Sequence, residues 1–211
     1  MIQIKRNLLK ISYQINERAK LVAVSKYRSA GEILQAIEAG HKIFGENKVQ
    51  EAVQKWSEIR KKHSDVELHL IGALQTNKVK EAIMTFDVIE VVDREKLANA
   101  LIKEMKKQNK YPACLIQVNT GEEPQKAGVL PKDADMFIKD CIEKELPVRG
   151  LMCIPPANED PQPHFKMLRD LCNKHNLDIC SMGMSGDYMQ AIDCGATHVR
   201  IGTAIFGERA E

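Results

Sequence analysis

Short apolar runs rich in β-branched residues recur along the chain. Each is followed by a longer stretch whose apolar residues fall three and four positions apart. The runs lie at residues 21–25, 42–44, 68–71, 88–92, 113–118, 148–154, 178–181 and 198–201. The longer stretches lie at 30–39, 48–62, 78–84, 94–108, 132–144, 161–175 and 186–194. Continuous apolar runs of this length are strands, and the spacing between them is that of amphipathic helices. Strand then helix, joined by connections of a few residues without a Gly/Ser-rich linker, is the pattern of a parallel sheet wrapped by helices. Eight strands select class α/β and a closed (β/α)8 TIM barrel over an open doubly wound sheet. Such a barrel takes about 250 residues, and at least roughly 200. The 211 residues of the chain are therefore expected to form one domain, 1–211, with the barrel over 21–211. Residues 1–20 are left for a helix and a lead-in, and residues 6–15 place Leu8, Leu9, Ile11 and Ile15 along what reads as one stripe. This predicts an additional N-terminal helix on the barrel exterior or across its bottom.

Composition narrows the function classes. The 31 Lys+Arg and 29 Asp+Glu leave a formal charge of +2, too little to hold a nucleic-acid backbone or an anionic membrane surface. Residues 1–10 alternate polar and apolar positions, unlike a secretory signal, and no run approaches the roughly 18 apolar residues of a membrane span. A cytoplasmic protein is expected. The cysteines Cys114, Cys141, Cys153, Cys172, Cys180 and Cys194 form no C-x-x-C pair and read as reduced core thiols. The histidines form no H-E-x-x-H pair either, so no metal is expected.

In this fold chemistry sits at the carboxyl ends of the strands. The first run leads directly into Lys26. There a buried amine could act as a nucleophile that forms a Schiff base, or the lysine could simply snorkel to solvent or pair with a carboxylate, its commoner use. The last two runs end in glycine-bearing turns, Ser181-Met-Gly-Met-Ser185-Gly-Asp187 and Arg200-Ile-Gly202-Thr203. Small residues there let backbone N–H groups approach a phosphate, and barrels frequently bind phosphate after strands seven and eight. Asn47 and Asn119 end two other runs, either to orient a ligand or as Asx turns and helix caps. Residues 122–128 read as a mobile lid-like loop in which Lys126 is a solvated lysine. His69 reads as a satisfied core histidine and Thr76 as a helix cap. Trp56, Met182 and Met184 fit core or pocket equally.

Seven ordered motifs then combine. They are Val22-Ala-Val-Ser-Lys26, Phe44-Gly-Glu-Asn-Lys-Val-Gln-Glu51, Ile71-Gly-Ala-Leu-Gln-Thr-Asn-Lys78, Leu115-Ile-Gln-Val-Asn119, Gly150-Leu-Met152, Ser181-Met-Gly-Met-Ser185 and Val199-Arg-Ile-Gly-Thr-Ala-Ile-Phe-Gly207. Together they span almost the whole chain, which resembles the pyridoxal phosphate homeostasis protein family. The resemblance implies a barrel similar to the cofactor domain of bacterial alanine racemase, with pyridoxal 5′-phosphate (PLP) held as a Schiff base on Lys26. It further implies that Met184, Ser185, Gly202 and Thr203 border the cofactor, the last three at its phosphate. Asn47 would lie beside the ring and Arg200 would face the pyridine nitrogen. Three features depart from the family's pattern: a short stretch at 16–20, Tyr27 where threonine is common, and Leu68 where an aromatic residue is common.

A guanidinium beside the ring nitrogen disfavours its protonation and weakens the cofactor as an electron sink. Racemases similar in barrel and arginine draw a second base from a further domain, for which this chain leaves no residues. The resemblance therefore implies a monomeric PLP carrier that buffers the cofactor and passes it to apo-enzymes, with little or no catalysis of its own. The alternative is a one-domain amino-acid racemase using Tyr27 or Tyr188 as the second base. A cofactor-free aldolase-like lyase suits the barrel but not the motifs.

Overall fold

The computed structural model of the protein describes residues 2–208. Residue 1 and residues 209–211, the ends of the expected domain, lie outside the described residues. Eight parallel strands close into a barrel in strict sequence order. They are β1 (Lys20–Val24), β2 (Ile43–Glu46), β3 (Glu67–Leu70), β4 (Val88–Val92), β5 (Ala113–Val118), β6 (Val148–Cys153), β7 (Ile179–Ser181) and β8 (His198–Ile201). The seam between β1 and β8 is in register from Lys20 opposite His198 to Ala23 opposite Ile201.

Helices α2 (Ala30–Glu38), α3 (Val49–Lys62), α4 (Val79–Thr85), α5 (Glu95–Gln108), α6 (Pro131–Glu143), α7 (Gln162–Lys174) and α8 (Tyr188–Asp193) each follow one strand. Their apolar faces bury Trp56, Ile83, Phe165, Leu97 and Leu101 against the sheet. After β8 the chain makes only the short helix α9 (Thr203–Phe206). The gap in the outer ring is filled by α1 (Ile2–Ile15), which packs on α2 and α9. The Asn7 amide donates to the Ile205 carbonyl at 2.8 Å. The N-terminal helix thus lies on the barrel exterior. No helix among the described residues is long and apolar enough to cross a membrane.

Two local expectations are corrected. The stripe of α1 is Ile4, Leu8, Ile11 and Ile15, while Leu9 is 60% exposed, because one residue further along a helix turns the side chain by about 100°. Thr76 caps nothing. It opens a single 3-10 turn, Thr76–Lys78, whose preceding residue Gln75 makes no side-chain cap. Five of the cysteines are buried, and Cys194 is half-buried.

Candidate functional site

Strands β7, β8, β1 and β2 are consecutive neighbours in the closed ring, and the polar residues at their carboxyl ends form one continuous rim. Ser25 and Lys26 continue from β1. The buried Ser25 donates its N–H to the Gly45 carbonyl at 2.9 Å and its hydroxyl to Glu46 Oε1 at 2.7 Å. Glu46, the last residue of β2, is wholly buried and also accepts the Trp56 indole N–H at 3.0 Å.

Lys55 of α3 organises this corner. Its ammonium lies 2.8 Å from Glu46 and 2.9 Å from Glu51, and donates to the carbonyls of Ser25 at 2.9 Å and Arg28 at 3.3 Å. One cation thereby pairs with both carboxylates beside the β1 turn and clasps that turn on either side of Lys26. Burial works against ionisation of Glu51, but Lys55 and the Tyr27 N–H hold its pKa below the ordinary carboxylate value. That N–H bond, at 2.6 Å, also supports Tyr27 at a left-handed φ of 61°, a conformation that costs a bulky residue energy. Lys26 itself is half-buried and makes no ion pair or hydrogen bond among the described residues. The two carboxylates at this corner, Glu46 and Glu51, are both engaged by Lys55.

Asn47 follows β2, half-buried, and its side-chain amide makes no hydrogen bond among the described residues. It is neither an Asx turn nor a cap, since Lys48 is the N-cap of α3. Gly72 presses against it so closely that a Cβ there would lie 2.3 Å from the Asn47 carbonyl oxygen. After β7 the Met184 N–H bonds the Asp187 carboxylate, and the Asp187 N–H returns to the Met184 carbonyl at 3.1 Å. This closed turn leaves Ser185 and Gly186 exposed. After β8, Gly202 lies against β1, where an added Cβ would stand 3.3 Å from Val24. Thr203 is exposed beside it. The structure thus brings Lys26, Asn47, Met184, Ser185, Gly202 and Thr203 to one face of the barrel, on adjoining strand ends.

Arg200 lies deeper, buried in the barrel lumen. Its guanidinium donates to the Ser181 hydroxyl at 2.6 Å and the Cys153 carbonyl at 2.8 Å, and stands 3.7 Å from Glu90 Oε2. Glu90 is fully buried, with Oε2 accepting the Ser181 hydroxyl at 2.6 Å and Oε1 at 2.6 Å from His69 Nδ1. The other nitrogen of His69 meets Glu67 at 2.7 Å. Burial works against charge on both partners. The bonds and charges of Glu67 and Glu90 nevertheless raise His69 to about 9, and His69, Arg200 and Ser181 hold Glu90 down to about 2. His198, with its ring 5.9 Å from that of His69, is pushed by burial and by the His69 charge down to about 4. His69 is a satisfied core histidine, as its place in an apolar strand indicated.

Other residues take settled places. Asn119 is an Asx-type clasp, its side chain bonding both the N–H and the carbonyl of Glu123. Lys126 is not a solvated lysine: it pairs with Glu123 and donates to the Pro155 carbonyl at 3.1 Å, tying its loop to the segment after β6. Trp56 and Met182 are core, whereas Met184 is partly exposed. Glu46, Glu90 and Lys55 were missed by sequence reasoning. A carboxylate inside the apolar run Val-Ile-Glu-Val-Val of β4 was a signal, because buried charges require partners. Lys55, four residues after Glu51, looked like an ordinary exposed helix pair.

The family model described as "Alanine racemase, N-terminal domain" matches residues 1–210. The pyridoxal phosphate homeostasis protein of Pasteurella multocida is 40% identical over 203 residues, covering 90% of this chain and 86% of that protein. The structure of PipY from Synechococcus elongatus without PLP superposes with a TM-score of 0.91 at 35% identity, over 97% of this chain and all of PipY. The structure of PipY with PLP bound superposes with a TM-score of 0.87 at 34% identity, again over 97% of this chain and all of PipY. With its motifs on one barrel rim, its architecture matched end to end and its sequence this close to theirs, the chain belongs to the alanine racemase N-terminal domain family and, within it, to the pyridoxal phosphate homeostasis proteins.

Proposed function

We propose that the protein binds PLP at the carboxyl rim of the barrel through Lys26 and serves PLP homeostasis by holding and delivering the cofactor. The observation that carries this reading is Lys26 itself, a half-buried primary amine that makes no ion pair or hydrogen bond among the described residues, while Glu46 and Glu51 at the same corner are engaged by Lys55. The donor set fits the group. An uncommitted amine suits an aldehyde, the side-chain amide of Asn47 suits a ring substituent, and the hydroxyls of Ser185 and Thr203 with the open backbone around Gly202 suit a phosphate. When bound, PLP supplies an aldehyde that combines reversibly with primary amines and a ring that can withdraw electrons.

Each residue has a task in this scheme. Lys26 provides the reversible covalent hold, and Lys55 fixes the turn that aims it. Ser185, Gly202 and Thr203 would hold the phosphate, Met184 would border the cofactor beside the Ser185 turn, and Asn47 would lie beside the ring. Arg200 would set a permanent positive charge near the ring nitrogen, which would disfavour protonation there and favour storage over amino-acid chemistry. The structure offers little to a racemase. The Tyr188 hydroxyl donates to Gln14 of α1 at 2.8 Å, and the Tyr27 ring is exposed beside Lys48.

The test loads the full chain with PLP, reduces it with borohydride and maps the adduct. Visible absorbance with label on the Lys26 peptide, both absent in Lys26→Ala, is expected; a label on other lysines alone would refute the site. Delivery is tested by mixing loaded protein with a PLP-dependent apo-enzyme. Reactivation no faster than with an equal dose of free PLP would refute that part. α-Deuterium exchange of amino acids is expected to stay at the free-cofactor background.

A further inference from the structure

The lumen of a barrel of this kind is ordinarily filled by layers of apolar side chains. Here a column of alternating charge runs through it: Glu67, His69, Glu90 and Arg200, linked by contacts of 2.7, 2.6 and 3.7 Å. Only Arg200 belongs to the proposed cofactor site. Glu90 is shared, giving one oxygen to His69 and the other to Ser181 and Arg200. A carboxylate tied to a second cation compensates the first one only in part. If the His69 charge is removed, the full negative charge of Glu90 falls on Arg200.

We infer that His69 is a positioning residue: by engaging Glu90 it leaves the charge of Arg200 only partly compensated, and so keeps the ring nitrogen of bound PLP unprotonated. This rests on the reading that places Arg200 against the ring. Four ionisable groups surround the His69–Arg200 axis. Glu67 stands on the same strand as His69, Glu90 on β4 and His198 on β8, while Lys20 on β1 acts electrostatically on Glu67 and His198. A cleft of about 480 Å³ at the amino-terminal mouth of the barrel, lined by Lys20, Glu67, Asp87, Asp178 and His198 among others, brings solvent to the Glu67 end. The far end of the column, at Arg200, is buried.

The experiment binds PLP labelled with nitrogen-15 in the ring to the full chain and follows the ring nitrogen by NMR from pH 6 to 9. In the parent it is expected to stay unprotonated across that range, and the titration is carried below pH 6 to find the parent's midpoint. In His69→Gln its protonation midpoint rises by about one pH unit, the order expected when one neighbouring charge is lost from a low-dielectric site. In Glu90→Gln it stays unprotonated, because the compensating charge is gone. An unchanged midpoint in His69→Gln, or the same rise in both variants, overturns the inference and leaves the cofactor reading standing. A parent chain that takes up no PLP on Lys26 overturns both. Should the variants fail to fold, the His69 imidazole in the unlabelled parent decides: protons on both nitrogens at pH 8 support the inference, and a neutral ring overturns it.

Discussion

Replacing Lys55 by methionine isolates the corner that holds the Lys26 turn. The methylenes of the side chain keep their packing, while the ammonium is lost from among Glu46, Glu51 and the carbonyls of Ser25 and Arg28. Removing one partner of a buried ion pair costs about 3–5 kcal/mol, because the other charge stays buried without compensation. Glu46 is fully buried, its Oε2 makes no hydrogen bond, and Lys55 is only 14% exposed. Ser25 and Trp56 continue to donate to Oε1, and Glu51 can turn to water, so the lower end applies: about 3 kcal/mol. With an m-value of roughly 2–3 kcal/mol/M for urea, the unfolding midpoint falls by about 1–1.5 M. Trp56 is the sole tryptophan and its indole bonds Glu46, so its fluorescence reports the transition from the perturbed corner, with far-UV circular dichroism as the global check. A second substitution, Glu46→Gln, removes the stranded charge and restores about 2 kcal/mol. The double variant still lacks the clasp on the turn, so PLP binding remains weaker than in the parent by about tenfold. A Lys55→Met protein within about 0.5 kcal/mol of the parent, or a double variant no more stable than the single one, would refute this account.

Stability is expected to peak near pH 6.5 and fall on both sides. His69 is raised from 6.5 to about 9, so its contribution is complete below pH 6.5 and is lost as the pH climbs through about 9. His198 is lowered from 6.5 to about 4, so its contribution is present above pH 6.5 and is lost as the pH drops through about 4. Each shift corresponds to roughly 3 kcal/mol, and the lowered Glu90 expresses the same pair as His69 and is not counted again; urea midpoints that do not fall between pH 7 and 9.5 would contradict the charged pair. Gly150→Ala places a Cβ about 2.0 Å from the Ile179 carbonyl oxygen across β6 and β7, and should cost about 3 kcal/mol. Gly186→Ala, with nothing within 4 Å, serves as the control and should melt with the parent. Tyr188→Phe should lose about 1 kcal/mol with the Gln14 bond while retaining PLP on Lys26, and loss of the cofactor would give that hydroxyl a role at the site.

What could be read in the sequence was what depends on local pattern. Strand ends are marked by the change from apolar runs to Gly, Ser, Asn and Lys, so the rim residues from Lys26 to Thr203 could be named before their neighbours were known. The contacts that give those residues their character are non-local. Glu90 reaches Ser181 across the lumen from a strand ninety-one positions earlier, and no window on the chain contains both. Whether Lys26 was free or paired could not be decided locally, because it depends on the side chains that the fold brings to that corner. Leu9 was misplaced for a simpler reason, since an apolar residue adjacent to a stripe is indistinguishable from one on it until the helix finds its partners.

The seam between β1 and β8 has a consequence for synthesis. Lys20 finds its partner only in His198, and α1 packs on a helix that follows β8. While the chain is being made, one edge of β1 and the α9-facing side of α1 therefore wait for β8 and the helix after it. Until then the growing sheet carries two raw edges, β1 and the newest strand, each able to pair with a foreign strand. Ring closure must overcome the entropy of the longest loop in the molecule in a single late step. Lys26 sits just past the first of those edges, so its rim, shared with the turn after β8, comes into being only when the circle shuts.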